Sequence, residues 1–231
     1  MMKYEILCYG DSDTHGRVGK WSDTEIERRY DRDTRWPCVL QKELGDDYAV
    51  VEEGLGGRTS MYSDAEGNIL KNGLLHLEGY LASHKPLDLV ILFLGSNDLQ
   101  LDFINESNLA DGMKALIEKV QSSVTMGPGF VSAPEVLFIG SPEVIPSSPA
   151  GRVSVWNQFK CEGGASLSKK FPQICENVAK ETGCWFLDSQ KYATPSLGDG
   201  VHITGESHIK LGKAIAQKVR EIRKNGTRNR T

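Results

Sequence analysis

The run Leu87-Asp88-Leu89-Val90-Ile91-Leu92-Phe93-Leu94 carries one charge in eight residues. A strand with one face in water alternates apolar and polar side chains. A nearly continuous apolar run reads instead as a central parallel strand buried on both faces. Such strands belong to α/β sheets with helices above and below. Shorter apolar runs lie at Ile6–Tyr9, Tyr48–Val51, Val136–Gly140 and Cys184–Leu187. Helical patterns fall between them. Trp36 to Leu44 has Gly45 as a stop, Leu74 to Leu81 ends before Pro86, and Leu109 to Val120 puts Leu109, Met113, Leu116, Ile117 and Val120 on one face. Ser166 to Thr182 is expected to break near Pro172, and Glu206 through Ile222 aligns Leu211, Ile215, Val219 and Ile222. This alternation predicts a doubly wound, mostly parallel sheet.

The 231 residues suffice for one α/β domain, expected over residues 1–225, with residues 226–231 as a frayed basic tail. A net charge of −4 argues against nucleic acid as the main partner. The basic residues near the end, Lys213, Lys218, Arg220, Arg223, Lys224, Arg228 and Arg230, read as a solvated helix face. Met1-Met2-Lys3 leads straight into the first strand with no signal-peptide apolar region, and no stretch approaches a membrane span. Five cysteines without CxxC spacing suit a reducing compartment, so a cytoplasmic protein is expected.

In an open parallel sheet, ligands bind at the carboxyl ends of the strands. The first strand ends in Gly10-Asp11-Ser12, which makes Ser12 a candidate nucleophile. A serine hydroxyl needs a base, and the base an orienting partner. Asp199-Gly200-Val201-His202 offers both: in a tight turn Asp199 would accept from Nδ1–H of His202 and leave Nε2 for Ser12. An attacked ester also needs donors for its oxyanion. Gly57, in Glu53-Gly54-Leu55-Gly56-Gly57-Arg58-Thr59, and Asn97, in Leu94-Gly95-Ser96-Asn97-Asp98, stand in glycine-containing turns after strands.

Taken in order, these four segments resemble the four blocks of the SGNH hydrolases, the GDSL esterase/lipase family. The resemblance covers nearly the whole chain. It implies a three-layer α/β/α fold around a flavodoxin-like five-stranded parallel sheet. It implies Ser12 as nucleophile, Asp199 and His202 as the other triad members, and the Ser12 N–H, Gly57 and Asn97 as the oxyanion hole. Asp33-Thr34-Arg35-Trp36-Pro37 and Val51-Glu52-Glu53-Gly54-Leu55, with Arg58-Thr59, are similar to the arylesterase and acyltransferase branch, whose members act on small esters and often form oligomers. The chain departs from the family pattern at Asp13, where leucine usually follows the nucleophile, and at Glu52, where asparagine usually stands.

Other chemistries fit less well. Thr14 two positions after Ser12 breaks the Gly-x-Ser-x-Gly elbow. Asp11, Asp199, His202 and His208 match no zinc spacing, and Gly54-Leu55-Gly56-Gly57 is not a dinucleotide fingerprint, so neither metal nor cofactor is expected. Asp11 is expected to accept backbone N–H bonds. His208 is the competing base, inside the last helix. His15 is expected at the site entrance or on a loop, with His76 and His84 on helix surfaces. The connections Arg17–Asp33, Ser60–Asn72 and Pro142–Phe159 are long enough to carry binding work. Asp13, Trp21, Tyr62 and Trp156 are candidates for the pocket wall, the aromatics with packing as the alternative. The expectation is a serine esterase for small, short-chain esters, with acyl transfer or carbohydrate de-acetylation as variants. A non-catalytic binding protein on the same fold is the rival from another class.

Overall fold

The structure is a computed structural model that describes residues 3–64, 66–145 and 162–228. Five strands, β1 (Tyr4–Gly10), β2 (Tyr48–Gly54), β3 (Leu89–Phe93), β4 (Glu135–Gly140) and β5 (Trp185–Asp188), form one sheet in the order β2-β1-β3-β4-β5. Every neighbouring pair is parallel. The sheet has the expected flavodoxin-like order.

Strand side chains alternate between two helical layers, which explains why β3 has almost no polar residue. Leu7, Tyr9, Val90, Leu92, Val136 and Phe138 face one core, with α3 (Gly73–His84), α4 (Glu106–Gln121) and α6 (Phe171–Thr182) packed on it. Ile6, Cys8, Leu89, Ile91, Phe93, Leu137 and Ile139 face the other, under α2 (Trp36–Leu44) and α7 (Gly205–Arg228). Full burial of one such aliphatic or aromatic side chain stabilises the fold by about 1.5–3 kcal/mol. Two short helices are also described: α1 (Ser12–His15) directly after β1 and α5 (Glu162–Ser168) before α6.

Helix boundaries follow polar caps that apolar periodicity does not see. Helix α4 begins at Glu106 rather than Leu109, because Asn105 accepts from Ser107 N and Asn108 N while the Asn108 side chain accepts from Asn105 N. The expected break near Pro172 falls between α5 and α6, with Pro172 in the first turn of α6. Helix α7 runs past Ile222 to Arg228. Its cations are put to structural use: Lys218 lies over Trp185, Arg223 over Tyr48, and Arg220 donates to the Glu43 carbonyl. Among the described residues no helix is long and apolar enough to cross a membrane.

At the carboxyl edge of the sheet α1 sits directly against β2. A Cβ on Gly54 would lie 2.1 Å from the backbone nitrogen of His15, so only glycine permits this approach. The connection between α1 and α2 is tied back by Arg35, which grips Glu52 through Nε and Nη2, each at 2.9 Å, and donates Nη1 to the Tyr30 carbonyl. Cys38 Sγ donates to the same carboxylate at 3.1 Å. Glu52, the departure from the family pattern, thus anchors the long loop to the sheet. Its carboxyl is desolvated by burial, yet the Arg35 and Cys38 hydrogen bonds outweigh that and hold it below the usual range.

Candidate active site

Three strand ends and one late loop meet at the carboxyl edge. After β1 the chain turns into α1 with Asp11 as N-cap: its Oδ1 accepts from Asp13 N at 3.0 Å. Ser12 is therefore not the cap that a serine in this position might supply, but the first helical residue. Asp11 Oδ2 accepts from Ser96 Oγ at 2.9 Å, joining the β1 edge to the turn after β3. Asp11 is buried, and desolvation raises its carboxyl despite these bonds.

The loop ahead of α7 carries Asp199 and His202. Asp199 Oδ1 accepts from the backbone N–H groups of Val201 and His202, both at 3.1 Å, which bends the chain back over its own carboxylate. Oδ2 is left to accept His202 Nδ1 at 2.7 Å, and it also accepts Lys20 N at 3.1 Å. His202 Nε2 then lies 3.1 Å from Ser12 Oγ. All three side chains are buried. Burial works to raise Asp199, but the bonds from the His202 ring and from the two N–H groups prevail and hold its carboxyl below the usual range. That carboxylate fixes the ring with Nδ1 protonated and Nε2 free to accept.

The opposite wall is built on Arg58, buried with its guanidinium over the Tyr9 ring at 4.0 Å. Arg58 Nη1 donates to the carbonyls of Gly10 and Glu53, and its own carbonyl accepts Asn97 Nδ2 at 3.0 Å. Asn97 Nδ2 also faces Asp11 Oδ2 at 3.4 Å, and Gln100 Nε2 holds the amide oxygen at 2.9 Å. Gly57 occupies the third position of a turn closed by Arg58 N on the Leu55 carbonyl, with φ +78°, a conformation that favours glycine. Lys71 Nζ donates to the neighbouring Gly56 carbonyl. Beneath, Asp98 is fully buried and accepts both the N–H and the hydroxyl of Ser60. Burial pushes its carboxyl up to about 7.

The remaining candidates divide. Asp13, expected in the pocket wall, turns inward: it is 6% exposed and its Oδ1 accepts Ile203 N at 3.1 Å. A carboxylate beside Ser12 reads as solvent-facing or substrate-facing only when no buried donor is known, and this donor is a backbone group at the far end of the chain. Trp21 is half-exposed on the loop whose Lys20 touches Asp199. Tyr62 packs edge-on against Phe103 and donates its hydroxyl to the Asn108 carbonyl, the packing alternative. Trp156 lies outside the described residues. His208 is buried on Trp36 N and Tyr30, and burial lowers it to about 3, which keeps the ring neutral. His15 is half-buried, with Arg29 on its carbonyl; His76 bonds the Ile69 carbonyl; His84 pairs with Glu53 at 2.8 Å and is not a plain surface residue. Among the described residues no three His, Cys, Asp or Glu side chains are grouped to hold a metal ion.

Sequence reasoning missed the Arg58 girder and the Asp98–Ser60 clamp. Both are polar groups buried on distant backbone or hydroxyl partners, and no periodicity marks them.

The GDSL-like lipase/acylhydrolase family model matches residues 8–208, a span that includes every residue of this arrangement. The chain belongs to that family. Its solved relatives include the native aryl esterase of M. smegmatis, at 35% identity over 94% of this chain and 98% of that one, with a TM-score of 0.83. A carbohydrate acetylesterase from Sinorhizobium meliloti shares 32% identity over 95% of this chain and 100% of its own, with a TM-score of 0.85. A lipase/acylhydrolase from Enterococcus faecalis shares only the fold, at 17% identity over 96% of each chain and a TM-score of 0.62. No curated protein matches significantly. As a GDSL hydrolase with esterase relatives, the protein is a carboxylic ester hydrolase of the SGNH fold.

Proposed function

We propose that the protein hydrolyses small, short-chain carboxylic esters through a Ser12–His202–Asp199 triad and an acyl-enzyme. The observation that carries this is the hydrogen-bonded line from Asp199 Oδ2 through the His202 ring to Ser12 Oγ, at 2.7 and 3.1 Å. His202 Nε2 takes the Ser12 proton as Oγ attacks the ester carbonyl. The resulting oxyanion is received by the N–H groups of Ser12 and Gly57 and by the Asn97 amide, whose long contact to Asp11 is the one it would displace. The tetrahedral intermediate collapses, His202 protonates the leaving alcohol, and Asp199 stabilises the imidazolium meanwhile. Water, losing its proton to His202, then cleaves the acyl-enzyme and frees the acid.

An alcohol that attacks in place of water yields a new ester by the same steps, so acyl transfer belongs to the same proposal. A second reading, de-acetylation of sugars, is favoured by the Sinorhizobium meliloti relative. A non-catalytic binder would need no hydroxyl held against an oriented imidazole. A serine-reactive organophosphonate should add a single adduct, mapped by mass spectrometry to Ser12; an unlabelled native protein would support the binder. A panel of aryl, alkyl and sugar acetates against longer acyl esters then ranks the substrates.

A further inference from the structure

Two consecutive residues of α1 face two consecutive residues of the loop ahead of α7. Ser12 Oγ meets His202 Nε2 at 3.1 Å, and Asp13 Oδ1 accepts Ile203 N at 3.1 Å. The loop around Ile203 is a narrow antiparallel pairing in which Ser196 N donates to the His202 carbonyl and Thr204 N to the Thr194 carbonyl. Flanked by those two bonds, Pro195 and Ile203 face each other as a non-hydrogen-bonded pair, whose own N–H and C=O groups point outward from the pairing. The Ile203 N–H therefore points away from the pairing, into the interior, where Asp13 supplies its acceptor.

Resting on the reading of Ser12, His202 and Asp199 as the reacting groups, we propose that Asp13 is the positioning residue of the base: it locks the His202 segment onto the nucleophile helix and supplies a negative charge that the imidazole faces. Leucine at this position would leave Ile203 N–H unpaired and the ring anchored from the Asp199 side alone.

The groups around it determine the sign of the effect. Asp13 faces His202 and Asp199 from the loop, Asp11 from its own segment and Tyr30 from the long connection. His208 faces His202 from α7 but is neutral. Burial, reinforced by the charge of Asp11, brings Asp13 up to about 7, so its charge changes in the range where an esterase base operates. Ionised, it places a negative charge that helps the ring carry the proton taken from Ser12. Neutral, it leaves the hydrogen bond and removes that help.

The test compares kcat and KM on para-nitrophenyl acetate, across roughly pH 5 to 9, for the wild type, D13N, D13L and S12A. D13N keeps the acceptor oxygen and drops the charge. Its acid limb should move to lower pH by about half a unit or more. D13L loses both; its kcat should fall about tenfold below that of D13N, with KM changed less than about threefold. An acid limb in D13N that overlays the wild type overturns the charge role, and D13L matching D13N in kcat overturns the tether. If D13L does not fold, D13A, which also lacks the acceptor, takes its place, and a kcat matching that of D13N overturns the tether. An active S12A would sink the serine mechanism itself; an inactive S12A beside an unmoved D13N profile would sink only the charge role of Asp13.

Discussion

Ser12 Oγ and His202 Nε2 lie 3.1 Å apart although 190 positions separate them in the chain. The first strand and the last helix of a doubly wound sheet are brought together because α7 packs on α2, on the same face as β1. Asp199 and Asp13 then fasten the intervening loop, one to the ring and one to the backbone behind it.

This contact makes Ser12→Ala and His202→Ala equivalent lesions. Each should lower kcat by about a thousandfold or more on para-nitrophenyl acetate while the thermal transition stays in place. His208→Gln should retain activity within about tenfold, because that ring is neutral and turned to Trp36. Loss of turnover in His208→Gln with an active His202→Ala would reverse the assignment of the base.

On the proposed mechanism, Asn97→Ala removes a donor whose bond to an oxyanion exists only once the carbonyl has been attacked. The expected loss is about 100- to 1,000-fold in kcat with KM little changed. Steady-state kinetics separate the two parameters. A rise in KM at constant kcat would make Asn97 a binding residue.

Asp98 bears on stability. Its carboxyl titrates at about 7 in the fold and at about 4 when unfolded, so the fold holds the proton more tightly. Its contribution is complete below about pH 4, declines as pH rises to about 7 and stays low above that. Asp13 acts in the same direction. Asp199 and Glu52 act oppositely: their contribution is present above about pH 4 and is lost as pH falls through their lowered folded values. Calorimetry from about pH 4 to about pH 8 should show Asp98→Asn with a shallower decline in Tm on the neutral side. An unchanged slope would mean that Asp98 does not hold its proton in the fold.

Arg35→Met would strip Glu52 of its bidentate partner and leave, among the described residues, Arg29, at 3.6 Å, and the Cys38 thiol. The expected cost is about 3 kcal/mol, because a mostly buried carboxylate loses its counter-charge. Urea unfolding should shift the midpoint at constant slope, and protease should nick the connection between Arg17 and Asp33 sooner. A midpoint unchanged from the wild type would show that the loop is held by other contacts.

The sheet was legible because strand burial leaves its mark in the sequence: β3 is apolar on both faces, and the glycine-bearing segments fall at strand ends. That Ser12, Asp199 and His202 meet could be read because short chemical motifs sit at those ends. The inward bond of Asp13 could not be read, since its partner is a backbone N–H and any residue can provide one. The start of α4 was misjudged for a related reason: Asn105 and Asn108 define it through side-chain caps, while the apolar stripe begins only at Leu109. Tyr62 looked like a pocket residue from its place in a long loop, and Phe103 and the Asn108 carbonyl show what the loop rests on.

Arg58 joins the Gly10 carbonyl of β1, the Glu53 carbonyl of β2 and, through its own carbonyl, Asn97 beyond β3. The edges of three strands are thus knotted at one residue, and none can drift without pulling on the others. Rigidity at that knot leaves the outer loops as the part of the molecule free to vary, so a change of ester preference can be sought by exchanging loops while the chemistry underneath keeps its shape.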